Sequence, residues 1–171
     1  MVDLTGKEII ITGGAKRIGR HLALAAGRAG ASVIIHYGQS EGEAVRLADE
    51  ISRMGVNANL FQADFADPSA SLSAFQNLLE KHDNLFGLVN NASIFEPLKF
   101  METSLESWQA HLDVNLTVPF LFSQAFARAL GSKPGRIINL LDWRALRPGK
   151  DHFPYTISKA EIGRASCRER V

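Results

Sequence analysis

The segment YTISK sets Tyr155 and Lys159 four residues apart, which on a helix puts both on one face. An ammonium beside a phenol favours the phenolate and draws the phenol pKa down toward the range useful for acid–base work. Such a tyrosine can give a proton to a carbonyl or imine as hydride reaches its carbon. A tyrosine and lysine at this spacing are a common coincidence, and the pair gains weight only from its place just after an apolar run. That run, GRIINLL, is closed by Asp142, thirteen residues before Tyr155. A carboxylate there either serves the same reaction or is a solvated or helix-capping group.

A second candidate lies near the start, in ITGGAKRIGR. Gly13, Gly14 and Gly19 bracket a turn from an apolar run into a helix. Glycine lets backbone approach a pyrophosphate closely, and a helix N-terminus offers free N–H groups and a positive dipole end. Lys16 and Arg17 add positive charge. The alternative is an ordinary tight strand–helix turn. A P-loop is excluded, because no Gly-Lys-Ser/Thr ending follows.

The next apolar run ends in HYGQS. A site selecting NAD carries an acid there for the ribose 2′-hydroxyl, but none occurs from Val33 to Ser40. His36, Gln39 and Ser40, with Arg17 in reach from the first loop, suit a 2′-phosphate better, so the expected cofactor is NADP(H). Asn90 and Asn91 close the fourth run, where amides can bind backbone or cofactor. Asn115, between Val114 and Leu116, reads as a surface or helix-bonding group when taken alone.

These residues need a scaffold that brings distant segments together. Short apolar or β-branched runs (Glu8 to Thr12, Ser32 to Tyr37, Asn57 to Asp64, Leu85 to Ala92, Gly135 to Leu141) alternate with longer segments of helical periodicity. The helices are expected at Arg17 to Ala29, Glu41 to Gly55, Pro68 to His82, Leu105 to Leu130 with Ser104 as its cap, and from Tyr155 onward. Regular βα alternation with strands apolar throughout predicts an α/β parallel sheet of five strands with helices on both faces. Ligands bind beyond the carboxyl ends of such strands, and every motif above falls at one.

The chain has 171 residues, 46% hydrophobic and 22% charged, enough for one domain with a sizeable core. A net charge of +1 favours neither nucleic acid nor a polyanionic surface. A single cysteine, Cys167, excludes an internal disulfide framework and a cysteine zinc site, and no metal is expected. There is no transmembrane-length apolar run and no signal-peptide pattern, so a cytoplasmic protein without membrane contact is the default.

Taken together, these motifs resemble the short-chain dehydrogenase/reductase family from Leu4 to Ala160: TGGAKRIG after strand one, Asp64 after strand three, NNAS after strand four, Asn115 in the fourth helix and YTISK after strand five. The family pattern has glycine where Arg17 stands and a catalytic serine where Asp142 stands. Both departures are similar to the pteridine reductase and dihydromonapterin reductase subgroup, as are HYGQS and NASIF. Gln39 departs from that subgroup, which often has an arginine there for the 2′-phosphate.

The resemblance implies that Gly13, Lys16, Arg17, Ile18, Gly19, His36, Tyr37, Ser40, Asp64, Asn91, Ala92, Ser93, Tyr155 and Lys159 hold NADP(H). It implies a pterin-like small molecule bound by Arg17, Ser93, Phe95, Asp142 and Tyr155, sandwiched between Phe95 and the nicotinamide. Tyr155 is the implied proton donor, and Lys159 lowers its pKa and holds the nicotinamide ribose. Asn115 supports a water chain to Lys159, and Asp142 orients Tyr155 or relays a proton. A general carbonyl or 3-oxoacyl reductase of the same family is the alternative, and a non-catalytic cofactor-binding fragment is a third reading.

Members of the family continue beyond the lysine helix with two further strands and a substrate-covering loop. The resemblance therefore implies an α/β, Rossmann-type doubly wound parallel sheet of five strands in the order 3-2-1-4-5, with the family's last strands missing, and residues 1–160 are expected to form an incomplete NADP-binding domain. EIGRASCRERV, residues 161–171, is expected to be a read-through artefact, because GAGATCGGAAGAGC encodes Glu161 to Ala165 and resembles a sequencing adapter. A homotetramer through the fourth helix and the Tyr155 helix is implied for the parent, with assembly impaired in this chain.

Overall fold

Residues Ile9 to Ile11 alternate between two cores, and this alternation organises the molecule. Ile10 points with Ile34 and Leu88 into one, and Ile11 with Val33, Ile35 and Val89 into the other. A strand whose successive side chains are buried on opposite faces must be covered twice, which demands helices on both sides.

The computed structural model describes residues 2–166. Strands β1 (Glu8–Ile11), β2 (Ser32–Tyr37), β3 (Ala58–Gln62), β4 (Leu85–Asn90) and β5 (Arg136–Asn139) form one sheet in the order β3-β2-β1-β4-β5. All pairings are parallel. The expected order is therefore the observed one; β2 matches its apolar run and the other four strands are shorter than theirs.

Helices α1 (Arg17–Arg28) and α2 (Glu41–Ser52) cover the Ile11 face through Ala23, Leu24, Leu47 and Ile51. Helices α3 (Pro68–Leu79) and α5 (Val118–Leu130) cover the other through an aromatic cluster, in which Phe75 and Phe122 stack at 3.8 Å between centroids. Asp67 caps α3 by accepting the Ala70 N–H, with Pro68 at the first helical position, where its missing N–H costs nothing.

The helix expected from Leu105 to Leu130 is divided. Helix α4 (Leu105–Leu112) is capped by Ser104 as expected, and a π-helical turn (Asp113–Thr117) separates it from α5. Helix α6 (Phe153–Ser166) starts two residues before Tyr155 and runs past Glu161, with Ile162 buried. The remaining residues of the expected foreign tail, Cys167 to Val171, lie outside the described residues. No described helix is long and apolar enough to cross a membrane.

Candidate active site

Two groups of side chains collect at the carboxyl ends of the strands. The first surrounds the turn from β1 into α1. Gly13 has φ 60°, and a Cβ there would lie 2.9 Å from Ala92 Cα. A Cβ on Gly19 would collide with the Gly13 carbonyl oxygen and stand 2.6 Å from Asn91 Nδ2. These glycines let the turn pack onto the end of β4. Asn91 donates from Nδ2 to the Thr12 and Gly13 carbonyls at 2.8 and 3.0 Å. Thr12 Oγ1 accepts the Asn91 and Ala92 N–H groups at 2.9 and 3.0 Å. Asn91 and Ala92 thus brace the loop from behind.

Arg17 adopts φ 49°, in the left-handed region that favours glycine. The backbone keeps the shape that the family pattern assigns to glycine, and an arginine carries it. A non-glycine residue held there costs on the order of 1–3 kcal/mol, and such strain concentrates at functional sites. The α1 N-terminus has no side-chain cap and no acid in its first turn, whereas α3 and α4 are capped by Asp67 and Ser104. Its free N–H groups lie beside Lys16 and Arg17, a donor set for an anion.

His36 plays a different part from the expected one. It is 3% exposed, accepts the Gly13 N–H on Nδ1 at 2.9 Å and lies 3.0 Å from the Ala63 carbonyl through Nε2. Its ring stacks on Phe65 at 4.2 Å. Burial pushes its pKa down to about 4, so it is neutral, with the Nε2 proton donated to Ala63. A neutral imidazole with both nitrogens engaged does not bind phosphate. His36 instead clamps the glycine turn to the end of β3.

The other residues expected around the cofactor are spread along this rim. Lys16 pairs with Glu43 at 3.1 Å, and Ile18 is 63% exposed. Tyr37 is half-buried, Ser40 precedes α2 without a side-chain cap bond, and Asp64 accepts the Ala66 N–H at 3.0 Å. Arg46, which the sequence did not single out, lines a cleft together with Lys16, Arg17, Arg20, Glu43 and Glu50.

The second group surrounds Tyr155, which is 6% exposed and donates its hydroxyl proton to Asp142 Oδ2 at 2.9 Å. The other carboxylate oxygen accepts the Arg144 N–H at 2.8 Å, capping a short 3-10 turn (Trp143–Ala145). Lys159 is buried, donates to the Leu140 carbonyl at 3.0 Å and lies 5.9 Å from the Tyr155 ring centre.

The expected direction of the Tyr155 pKa is reversed. Burial, the hydrogen bond to Asp142 and the Asp142 charge all push it well above the ordinary tyrosine value, and only Arg144 opposes them. Asp142 takes the position next to the phenol that Lys159 was expected to dominate. Burial lowers the Lys159 pKa, and Asp142 counteracts this.

Asn115, in the π-helical turn, is spent on protein partners. It accepts from Ser93 Oγ at 2.9 Å and the Ile94 N–H at 3.0 Å, and donates to the Ile94 carbonyl at 3.1 Å and Ser158 Oγ at 3.0 Å. Its side chain ties the Ser93–Ile94 loop to α6, with no bond to Lys159. π-Helical turns recur at functional sites, and this one turns the amide inward.

Phe95 follows on that loop, 50% exposed and edge-on to the Tyr155 ring at 4.6 Å. The tyrosine, its carboxylate partner and the lysine thus stand across the sheet from an uncapped glycine turn. The family model described as short chain dehydrogenase matches residues 7–164. The chain belongs to the short chain dehydrogenase family.

Among similar proteins is a 3-oxoacyl-[acyl-carrier-protein] reductase of Synechocystis sp., 32% identical over 163 residues, covering 95% of this chain and 66% of that protein. FolM alternative dihydrofolate reductase 1 from Brucella suis, solved in complex with NADP, superposes with a TM-score of 0.86 at 29% identity, covering 93% of this chain and 66% of that one. A short chain dehydrogenase from Burkholderia cenocepacia J2315, also in complex with NADP, gives 0.86 at 36% identity, covering 93% and 65%. This short chain dehydrogenase spans just under two thirds of the curated relatives it matches, between 62% and 66% of their length.

Proposed function

We propose that this protein is an NADPH-dependent reductase of pteridine type, acting on a C=N bond of a dihydropteridine or dihydrofolate-like substrate. The observation that carries the reading is the Tyr155 hydroxyl bonded to Asp142 at 2.9 Å, with the half-exposed Phe95 ring edge-on beside it.

The cofactor reading rests on fit. The glycine turn has no room for a Cβ at Gly13 or Gly19, and the α1 N-terminus beside it carries Lys16 and Arg17 and no acid in its first turn. That donor set suits a pyrophosphate. Arg46 brings to the same cleft a cation that Gln39 does not supply, and no acid lies in the β2 end from Val33 to Ser40. NADP is the ligand of the FolM and Burkholderia structures. When bound, NADPH supplies the hydride.

The chain's own residues supply the rest. Tyr155 is held protonated by burial and by Asp142, so it is poised as a donor, the role a reductase needs. An ionised carboxylate is acceptor only, so Asp142 orients the phenol rather than standing in for a serine hydroxyl. Lys159, buried behind the phenol on the Leu140 carbonyl, is placed to hold the nicotinamide ribose. The half-exposed Phe95 ring is the stacking surface for a planar ring, on the loop that also carries Ser93.

A second reading, reduction of a 3-oxoacyl thioester, is favoured by the likeness to the Synechocystis reductase. NADPH oxidation by the protein expressed from its complete reading frame separates the two. Dihydrobiopterin or dihydrofolate is expected to be turned over faster than an acetoacetyl ester. Turnover of the acetoacetyl ester alone would reject the pteridine reading in favour of the second.

A further inference from the structure

The segment between Asp142 and Tyr155 contains a group of side chains that the proton-transfer account does not use. His152 lies at φ 55°, the one non-glycine residue besides Arg17 in the left-handed region among the described residues. Its ring stacks face to face on Phe95, with centroids 3.7 Å apart and planes 9° from parallel. His152 Nδ1 donates to Asp151 Oδ2 at 2.9 Å, and Asp151 Oδ1 accepts from the Arg144 guanidinium at 2.9 Å. The Arg144 backbone N–H in turn reaches Asp142, which holds Tyr155, whose ring packs T-shaped against Phe95.

The six residues close a circuit: Phe95, His152, Asp151, Arg144, Asp142, Tyr155. Phe153 N–H donates to the Leu98 carbonyl at 2.7 Å, so the two loops that carry the circuit are also joined by backbone. Arg144 and His152 keep only 17% and 13% of their side chains exposed. Phe95 has one face covered by His152 and is half-exposed. The Arg144 guanidinium also lies over the Phe95 ring, 5.7 Å from its centroid. A ring stacked on one neighbour and packed T-shaped against another has little freedom to turn, and its exposed part is held in a fixed relation to the Tyr155 hydroxyl.

We propose that His152, anchored by Asp151 and Arg144, is a substrate-positioning residue that locks Phe95 as a platform for a planar heterocycle at a set distance from the proton donor. This rests on the pteridine reading above and adds the residues that enforce planar selectivity. The strained backbone at His152 agrees with it, since a left-handed residue persists where its surroundings demand that conformation.

The test uses the whole protein with NADP+ bound and 2,4-diaminopteridine as an unreactive planar probe, read by calorimetry. His152→Asn suits the left-handed backbone and removes the stack. His152→Phe keeps the stack. In His152→Asn the probe's Kd is expected to rise about tenfold, and KM for dihydrobiopterin to rise with kcat little changed. NADP+ affinity and Tm are expected to hold, KM for an acetoacetyl ester to stay level, and His152→Phe to return the probe's Kd to within about threefold of the parent. Probe binding unchanged in His152→Asn would overturn the platform alone. So would a loss of NADP+ affinity and Tm in step with the probe, which would mark a merely structural role. An unaltered parent protein that fails to bind the probe would overturn the pteridine reading and the platform with it.

Discussion

The glycine-turn rim and the Tyr155 rim of the same sheet are built by different means. The first is a backbone turn braced by side chains from behind: glycines at close approach, Thr12 and Asn91 tying β1 to β4, and His36 accepting the Gly13 N–H. The second is made of side chains from an irregular segment, with Asp142, Arg144, Asp151 and His152 linked in series to Tyr155 and Phe95. Under the proposed function, a backbone-built rim holds what every member of the family holds, and a side-chain-built rim is where one substrate class is told from another. The two rims then fail separately. Changes at the turn alter cofactor affinity, and changes around Tyr155 alter turnover and substrate choice.

The largest expected effect is on the second rim alone. Tyr155→Phe removes the proton donor and is predicted to lower kcat by roughly 10²–10⁴ with NADPH Kd unchanged, measured by single-turnover kinetics and fluorescence titration. A matching loss of NADPH binding would merge the two rims.

Asp142→Asn keeps the shape and removes the charge that holds the Tyr155 proton. A fall of about 10–100-fold in kcat is expected, within the range for general acid–base groups. The sign of the pH effect follows from the pKa direction. Asp142 and burial raise the phenol's pKa, so removing the anion lets it fall toward the ordinary value. The alkaline limb of the pH–rate profile should move to lower pH. A limb that stays in place would mean that Asp142 does not control the donor.

Gly19→Ala sets a Cβ against the Gly13 carbonyl and Asn91. Overpacking of this kind costs about 1–3 kcal/mol, and NADPH Kd should rise at least about tenfold while kcat at saturation is retained.

The smallest effect is an acid sensitivity of the turn. His36 has a folded pKa of about 4, below its ordinary 6.5, so the unfolded chain binds the proton first as pH falls. Its stabilising contribution is full above about pH 6.5 and declines toward pH 4. Thermal melts of the parent and His36→Gln should differ most at neutral pH and converge on acidification. A difference that is constant with pH would remove His36 from the clamp.

The same contrast explains what the sequence could reveal. The five strands and the glycine turn follow from local periodicity and backbone sterics, the strand order follows from the family resemblance, and the structure repeats all three. Ser104 and Pro68 were equally readable as helix starts. The π-helical turn at Asn115 was not, because its apolar neighbours fit an uninterrupted helix and only the inward bonds of the amide divide it. His36 looks like a polar strand end until Phe65 and Ala63 are seen to close over it. The Tyr155–Lys159 spacing correctly puts both on one face, but it says nothing of the burial of the phenol or of Asp142, which approaches from another loop and adds to the upward pKa shift that burial causes. Arg144, Asp151 and His152 carry no periodic signal, and His152 stacks on Phe95 from a left-handed backbone position that no sequence pattern marks.

Asp142 in place of a serine is the departure on which the account turns, and replacing it by that serine tests the account most directly. The measurement is kcat/KM of Asp142→Ser with NADPH for dihydrobiopterin and for a simple ketone. The account predicts a loss of about tenfold or more for the pterin, with ketone turnover retained or raised. Pterin turnover equal to that of the unaltered protein would contradict it.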